Sequence, residues 1–268
     1  MNPIERSAIH PLDAGFLRLW YTDPVALDDP AVEQGCALLL DEDELARAGR
    51  FRFARHRHEF LATHALARTA LSQAHPLPQR AWSYTCNEFG KPAPEPRCGL
   101  SFNQSNSLGL AVCLVGRLLS TPEVGVDVES FARAESILPL ANRVFSPAEQ
   151  AQLAALPTAD RPARALSLWT LKEAYIKARG QGLSLPVENI SFLFGGAAGL
   201  DFEAGPEIDA NPGRWRFAQL DLAGHRIALA IEAAEPLPTL EIYCAQPPYA
   251  TPAVPVPGRA SWSLCCPA

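Results

Sequence analysis

The chain carries the stretch Trp169-Thr-Leu-Lys172-Glu173-Ala-Tyr-Ile-Lys177-Ala-Arg-Gly180. Its apolar residues recur at helical spacing and a glycine follows them, so the stretch predicts a largely buried helix that ends at Gly180. In that helix Glu173 and Lys177 lie one turn apart on a single face. Such pairs are also common on exposed helices, so the stretch alone leaves both an ordinary ion pair and a functional site open.

Upstream, the segment Gly125-Val-Asp127-Val-Glu129 predicts a strand whose two carboxylates lie on one face. The valines indicate that the opposite face is buried. Carboxylate oxygens are the ligands that Mg²⁺ prefers, although two acids on a half-exposed strand are often merely solvated. Together with Glu173 and Lys177, this pair would hold a divalent cation and a phosphate ester in one place.

Between these motifs, Ser146-Pro147-Ala-Glu149 is typical of a helix start. Serine is the expected N-cap, proline the first helical residue, and glutamate the third, whose carboxylate returns to the cap. This capping role explains Glu149 without any chemistry. A further acid for a catalytic site remains the alternative.

The basic residues of the first half are candidates for binding an anion. Lys91 lies on a Gly-Lys-Pro turn, and Arg57 belongs to a cluster of arginines near a predicted helix. Ser105 and Asn106 lie in a predicted polar loop, 104–107, between strands at 100–103 and 110–115. Guanidinium groups suit phosphate oxygens, but each of these residues is equally compatible with an ordinary surface.

Composition excludes several classes of protein. The 268 residues have a formal net charge of −6, which is unfavourable for general nucleic-acid binding. No apolar run of about eighteen residues predicts a membrane span, and the first residues lack the features of a signal peptide. We therefore expect a cytoplasmic protein. The seven cysteines show no metal-site or redox spacing.

The periodicities predict strands and helices in two successive halves. Strands are expected at 15–22, 82–84, 124–128, 190–194, 215–220 and 226–231, and helices at about 41–74 and 160–179. We place the N-terminal half at 1–118 and the C-terminal half, with the acidic residues, at 119–235. The proline-rich residues 236–268 predict a poorly ordered tail.

The motifs occur in one series along the chain: Asn87-Glu-Phe-Gly-Lys91-Pro, Phe102-Asn103-Gln-Ser105-Asn106-Ser107, Gly125-Val-Asp127-Val-Glu129, Phe145-Ser146-Pro-Ala-Glu149 and Trp169–Lys177. This series resembles the 4′-phosphopantetheinyl transferases of the Sfp type. The resemblance implies an α+β fold of two similar halves related by a pseudo-twofold axis. Each half would be a small sheet packed on a long helix, with coenzyme A in the cleft between them.

The resemblance also implies an activity. Such enzymes transfer the 4′-phosphopantetheine arm of coenzyme A to a serine of an apo acyl or peptidyl carrier protein and release adenosine 3′,5′-bisphosphate, often in secondary metabolism. Asp127, Glu129 and Glu173 would then hold Mg²⁺, and Glu173, Lys177 and Glu149 would form the catalytic set. Lys91, Arg57, Ser105 and Asn106 would bind coenzyme A. The implied working unit is a monomer.

Asn106 departs from the family pattern, which has histidine at this position, in contact with the 3′-phosphate of coenzyme A. Asparagine donates a hydrogen bond but carries no charge, so we expect weaker binding of coenzyme A with the chemistry intact. The alternative is a degenerate relative that binds coenzyme A or a carrier protein without transferring anything. The pathway that is served and the catalytic base stay open.

Overall fold

The structure is a computed structural model that describes residues 15–117, 123–195, 199–233, 239–250, 254–256 and 262–264. Its helices are α1 (Pro30–Ala37), α2 (Glu42–Ala48), α3 (Ala54–Ala74), α4 (Ala134–Ile137), α5 (Ala141–Val144), α6 (Pro147–Ala155) and α7 (Arg161–Arg179). Its strands are β1 (Phe16–Thr22), β2 (Ser83–Cys86), β3 (Pro92–Glu95), β4 (Ser101–Ser107), β5 (Leu110–Arg117), β6 (Val124–Ser130), β7 (Ile190–Phe194), β8 (Leu200–Ala204), β9 (Trp215–Leu222), β10 (His225–Glu232), β11 (Thr239–Cys244), β12 (Val254–Val256) and β13 (Trp262–Leu264). No helix within these residues combines the length and the apolar character that crossing a bilayer requires.

One connectivity occurs twice along the chain. In the first half β1 is followed by α3 and then by the hairpin β4–β5, and the sheet order is β12-β11-β1-β5-β4. In the second half β6 is followed by α7 and later by the hairpin β9–β10, and the sheet order is β13-β9-β10-β6. The first strand of each half pairs antiparallel with the last strand of its hairpin. The predicted α+β class is confirmed.

The core has three parts that arrange these elements in layers. One cluster packs α3 on the first sheet, and another packs α7 on the second sheet. The third joins the remaining faces of the two sheets through residues such as Leu19, Val112, Val126 and Leu229. Each such fully buried aliphatic side chain contributes about 1.5–3 kcal/mol to folding. The two halves are therefore held together by a shared apolar layer.

Gly125 brings α7 directly onto β6. A β-carbon at this position would lie 2.0 Å from the carbonyl oxygen of Ala174 and 2.5 Å from the backbone nitrogen of Ala178. Only a residue without a side chain allows two backbones to approach so closely. The acidic strand and the helix that carries Glu173 and Lys177 thus lie in direct contact. At its end, the helix stops as predicted at Gly180, which has a positive φ of 63°.

Two predictions for the first half were wrong in detail. The helix expected at about 41–74 is broken between Ala48 and Ala54 into α2 and α3. The predicted polar loop 104–107 is instead the end of strand β4, and the hairpin turns at Leu108–Gly109. Polar residues usually favour loops, but alternate β4 side chains here hydrogen-bond β6. The side chain of Asn103, for example, accepts a 2.9 Å hydrogen bond from Val126 N.

The prediction of a poorly ordered tail was wrong for residues 239–250. Strand β11 pairs in parallel with β1, and Leu240 and Ile242 join the core between the sheets. Tyr249 is buried and donates a 3.0 Å hydrogen bond to the carbonyl of Ala62. The alternating pattern of residues 239–244 is short, and the surrounding prolines conceal it. The N-terminal residues 1–14 and the predicted half boundary at 118–119 lie outside the described residues or at their edge.

Candidate functional site

A cleft of about 570 Å³ lies between the two halves. Tyr84 and Phe102 line it from the first half, and Glu173 and Lys177 line it from the C-terminal part of α7. The cleft lies between α2, the β2–β3 hairpin and β4 on one side and α7 on the other. A site at this position requires both halves of the chain, because neither half supplies both walls.

Asp127, Ser105 and Lys177 form a hydrogen-bonded triangle beside this cleft. Lys177 Nζ lies 2.6 Å from Asp127 Oδ1 and donates to Ser105 Oγ at 2.8 Å. Ser105 donates in turn to Asp127 Oδ1 at 3.0 Å. The second oxygen, Asp127 Oδ2, is buried and has no hydrogen-bond partner among the described residues. A buried carboxylate oxygen without a partner costs about 1–3 kcal/mol, so a cation at this oxygen would be strongly favourable.

Glu129 lies two residues further along the same face of β6. Its carboxylate accepts a 2.6 Å hydrogen bond from Ser107 and hydrogen bonds of 2.7 and 2.9 Å from Arg133 Nη1. Because Ser105 and Ser107 are also two residues apart, the hydroxyl pair of β4 matches the carboxylate pair of β6. The strand register therefore fixes both carboxylates in position.

Glu173 is the third carboxylate of the group. Burial raises its pKa to about 7, with further increases from Asp127 and Glu129, while Lys177 opposes them. The three carboxylates repel one another, and one of their oxygens has no hydrogen-bond partner among the residues that the structure describes. Such a set of oxygen ligands suits Mg²⁺. In the described part of the chain, no three His, Cys, Asp or Glu side chains are yet arranged to hold a metal ion. Lys177, which pairs with Asp127, and Arg133, which pairs with Glu129, supply the positive charge within the group as it stands.

Glu149 does not join this group. It is fully buried, and the predicted capping box with Ser146 is present. Its Oε2 lies 2.8 Å from the buried ammonium of Lys172, and its Oε1 accepts a 2.9 Å hydrogen bond from Phe192 N. Every oxygen of this carboxylate is engaged in holding α6, α7 and β7 together. The position supports a structural role and not the catalytic role that we predicted.

We expect Glu149→Ala to lower the free energy of unfolding by about 3–5 kcal/mol, because it leaves the Lys172 ammonium buried without its counter-charge. Denaturant titration measures this loss, and Glu203→Ala on the exposed face of β8 is the matched control. The double variant Glu149→Gln, Lys172→Met should recover much of the stability. If the Glu149→Ala protein has wild-type stability but no activity, Glu149 has a catalytic role and the structural role is contradicted.

The turn that carries Lys91 clasps the end of α7. Asn87 Nδ2 donates a 2.7 Å hydrogen bond to the carbonyl of Gly180, and Lys91 Nζ donates to the carbonyl of Ala178 at 2.5 Å. The Lys91 ammonium also pairs with Glu123, and burial lowers its pKa. We call Asn87 and Lys91 the hairpin clasp. Lys91 also lines the cleft, and in this structure its ammonium joins the two halves through Glu123 and the carbonyl of Ala178.

Other predicted ligand-binding residues are distributed unevenly. Ser105 lies at the centre of the site, whereas Asn106 is exposed and borders a small cavity of about 260 Å³ together with Lys177. Arg57 donates a 2.8 Å hydrogen bond to Glu33 and does not belong to the residues that line the cleft. The arginine that does line the cleft comes from α2.

That arginine, Arg47, and a buried charge network behind it were missed from the sequence. Glu44 bonds both His64 Nδ1, at 2.8 Å, and the fully buried Arg68, at 2.8 Å. His64 also stacks on Phe60 with ring centroids 4.0 Å apart. The acidic run 41–44 was a visible signal, but on its own it indicated only a helix start.

Comparisons with known proteins show which family this chain is similar to. The family model described as 4′-phosphopantetheinyl transferase superfamily matches residues 123–230. The 4′-phosphopantetheinyl transferase HetI of Nostoc sp. is 35% identical over 60% of this chain and 68% of its own length. A phosphopantetheinyl transferase of Thraustochytrium sp. is 30% identical over 72% and 70% of the two chains, and Sfp of Bacillus subtilis is 27% identical over 57% and 65%.

Solved structures of holo-acyl-carrier-protein synthases are also similar to parts of this chain. The enzyme from Neisseria meningitidis has a TM-score of 0.36 and 19% identity, over 42% of this chain and 98% of that one. The enzyme from Thermotoga maritima has a TM-score of 0.34 and 20% identity, over 41% of this chain and 61% of that one. The family is shown by the sequence relatives HetI and the Thraustochytrium enzyme, which are 35% and 30% identical over 68% and 70% of their own lengths. This chain belongs to the 4′-phosphopantetheinyl transferase superfamily.

Proposed function

We propose that this chain transfers the 4′-phosphopantetheine arm of coenzyme A to a serine of an apo carrier protein, releasing adenosine 3′,5′-bisphosphate. Relatives that match 60% and 57% of this chain are named 4′-phosphopantetheinyl transferases. The observation that carries the proposal is that Glu173 and Lys177 line one cleft between the halves, with Asp127 in contact with Lys177 and with Asp127 and Glu129 close enough to raise the pKa of Glu173.

We further propose that Asp127, Glu129 and Glu173 hold Mg²⁺. The orphaned oxygen of Asp127 and the raised pKa of Glu173 support this donor set. A bound Mg²⁺ would neutralise the pyrophosphate and the developing charge on the leaving group. Glu173 would hold Mg²⁺ in its deprotonated form, and Lys177 would exchange its contact with Asp127 for one with the substrate phosphate.

The protein's own groups then position the substrates. Lys177, freed from Asp127, is placed to contact the transferred phosphate and stabilise its charge in the transition state. The Ser105 hydroxyl lies 2.8 Å from that ammonium and keeps it oriented. Apolar side chains such as Tyr84, Phe102 and Ile176 line the rest of the cleft and exclude water from a bound donor.

The mass of an apo carrier protein tests the proposal. After incubation with this protein, coenzyme A and Mg²⁺, the carrier serine should gain about 340 Da, the mass of the added arm. An unchanged mass across fatty-acid, polyketide and peptide-synthetase carriers would instead support the degenerate relative that only binds. Lys177→Ala should leave the carrier unmodified, and Arg52→Ala, at an exposed site outside the cleft, serves as the control.

Several finer features belong to the same proposal. The repeated orders β1-β5-β4 and β6-β10-β9 support two halves related by a pseudo-twofold axis, with bounds near 1–118 and 119–235. Strand β11 crosses back from beyond the second half into the first sheet. Because one chain supplies both walls of the cleft, we propose a monomer as the working unit. We also propose that the protein is located in the cytoplasm and that its carrier protein belongs to secondary metabolism.

A further inference from the structure

We infer that this cleft suits a phosphopantetheine donor without a 3′-phosphate, so that 3′-dephospho-coenzyme A serves about as well as coenzyme A or better. The inference rests on the proposed function and adds the chemical class of the donor. The two donors differ only in one phosphomonoester on the ribose, which carries about two negative charges at neutral pH. The charges that line the cleft therefore decide between them.

Two of the three lysine and arginine side chains that line the described part of the cleft already have partners. Lys177 pairs with Asp127 at 2.6 Å, and the proposed reaction assigns it to the transferred phosphate. The imidazole Nδ1 of His64 lies 2.8 Å from Glu44 Oε1. The lysine of the hairpin clasp is held by a carboxylate and a helix carbonyl. Arg47 is the one lining cation in the described residues that lacks a carboxylate partner.

The wall beside Arg47 is acidic. Asp41, Asp43 and Glu44 all line it, at the start of α2. Arg68 bonds Asp41 Oδ2 at 2.6 Å and Glu44 Oε2 at 2.8 Å, but its side chain is completely buried and cannot reach a ligand. A phosphomonoester needs several charge-assisted donors to offset its desolvation. Arg68 compensates Asp41 and Glu44, so the phosphomonoester would meet the guanidinium of Arg47 and the carboxylate of Asp43, which has no cationic partner among the described residues.

A ribose 3′-hydroxyl, unlike a 3′-phosphate, is stabilised by a neighbouring carboxylate. It donates hydrogen bonds, and carboxylate oxygens are strong acceptors for them. In dinucleotide-binding sites an acidic side chain on the ribose selects the hydroxyl form over the phosphorylated form for this reason.

The transfer step is complete without the 3′-phosphate. The bond that forms joins the carrier serine oxygen to the phosphorus that bears the pantetheine arm. The bond that breaks joins this phosphorus to the bridging oxygen, which leaves with adenosine 5′-monophosphate. The serine proton is released to solvent. Because the ribose phosphate takes no part in these changes, only binding distinguishes the donors.

The two donors should be compared on one apo carrier, with wild-type protein and Mg²⁺. We expect kcat/KM with 3′-dephospho-coenzyme A to lie within about threefold of the value with coenzyme A, or above it. A greater preference for coenzyme A overturns the inference but leaves the proposed function intact. If neither donor modifies any carrier, the proposed function fails and the inference fails with it.

Two charge-reversal variants test whether the acidic wall determines the preference between the two donors. Asp43→Lys places a cation on the acidic wall and should lower KM for coenzyme A about tenfold, with little change for 3′-dephospho-coenzyme A. Glu42→Lys is the matched control, since Glu42 is a neighbouring exposed acid of the same helix turn that does not line the cleft. An equal response of both donors to Asp43→Lys would contradict the role assigned to this wall.

Discussion

Replacing Glu173 with glutamine is expected to lower kcat/KM for carrier modification by about 10³-fold. The amide keeps the shape of the side chain but removes one of three carboxylates that would hold Mg²⁺ against the pyrophosphate. Mass spectrometry of the carrier over time measures the rate. Glu203→Gln, on the exposed face of β8, is the matched control and should keep the wild-type rate. If kcat/KM of the Glu173→Gln protein stays within about tenfold of wild type, Glu173 is not a ligand of the metal.

The same substitution should not weaken the fold. Burial raises the pKa of Glu173 from 4.5 to about 7, so the folded protein retains a proton that the unfolded chain loses between these values. Stability therefore falls as pH rises through this window. Glutamine abolishes the fall, and we expect the metal-free variant to be more stable than wild type at pH 8 by about 1–3 kcal/mol. Thermal unfolding at pH 5 and pH 8 separates this effect from the loss of activity.

Adding a single methyl group at Gly125 is expected to destabilise the protein by more than about 3 kcal/mol. The new β-carbon would lie 2.0 Å and 2.5 Å from backbone atoms of α7, which cannot move aside as a flexible side chain does. The helix would have to leave β6, and Glu173 and Lys177 would leave Asp127 with it. We expect Gly125→Ala to lose stability and transfer activity together, as measured by denaturant titration and the carrier assay.

Gly49→Ala is the matched control for this change. Its φ is −65°, and an added β-carbon would make only ordinary contacts, the nearest at 3.6 Å. Alanine at such a position typically stabilises by about 0.4–1 kcal/mol. A Gly125→Ala protein that unfolds at the wild-type denaturant midpoint would contradict the direct contact between α7 and β6.

The sequence predicted those elements whose signals are local. The apolar spacing before Gly180 predicts where α7 ends, and the Ser146 cap predicts where α6 begins. The predicted strand 190–194 agrees with β7 at both ends. The structure also brings Asp127 and Glu129 onto one face of β6, as the alternation predicts. Periodicity and capping act within a few residues, so one sequence is sufficient to see them.

Features that depend on distant partners were not visible. Residues 104–107 form a strand whose alternate side chains, Ser105 and Ser107, hydrogen-bond β6. Strand β11 is ordered because it pairs with β1 in the first sheet. Arg57 points to Glu33 although its neighbours in the sequence favour an anion site. The bond between Glu44 and His64 spans two helices. Each outcome is decided by packing between segments far apart in the chain.

The central claim is that one cleft, built from both halves, carries out a metal-dependent transfer. The mass of an apo carrier after incubation with wild-type protein and coenzyme A, in parallel with Mg²⁺ and with an excess of chelator, tests it most directly. The account predicts complete modification of the carrier serine with Mg²⁺ and an unmodified carrier with the chelator. Equal modification in both reactions, or none in either, would contradict it.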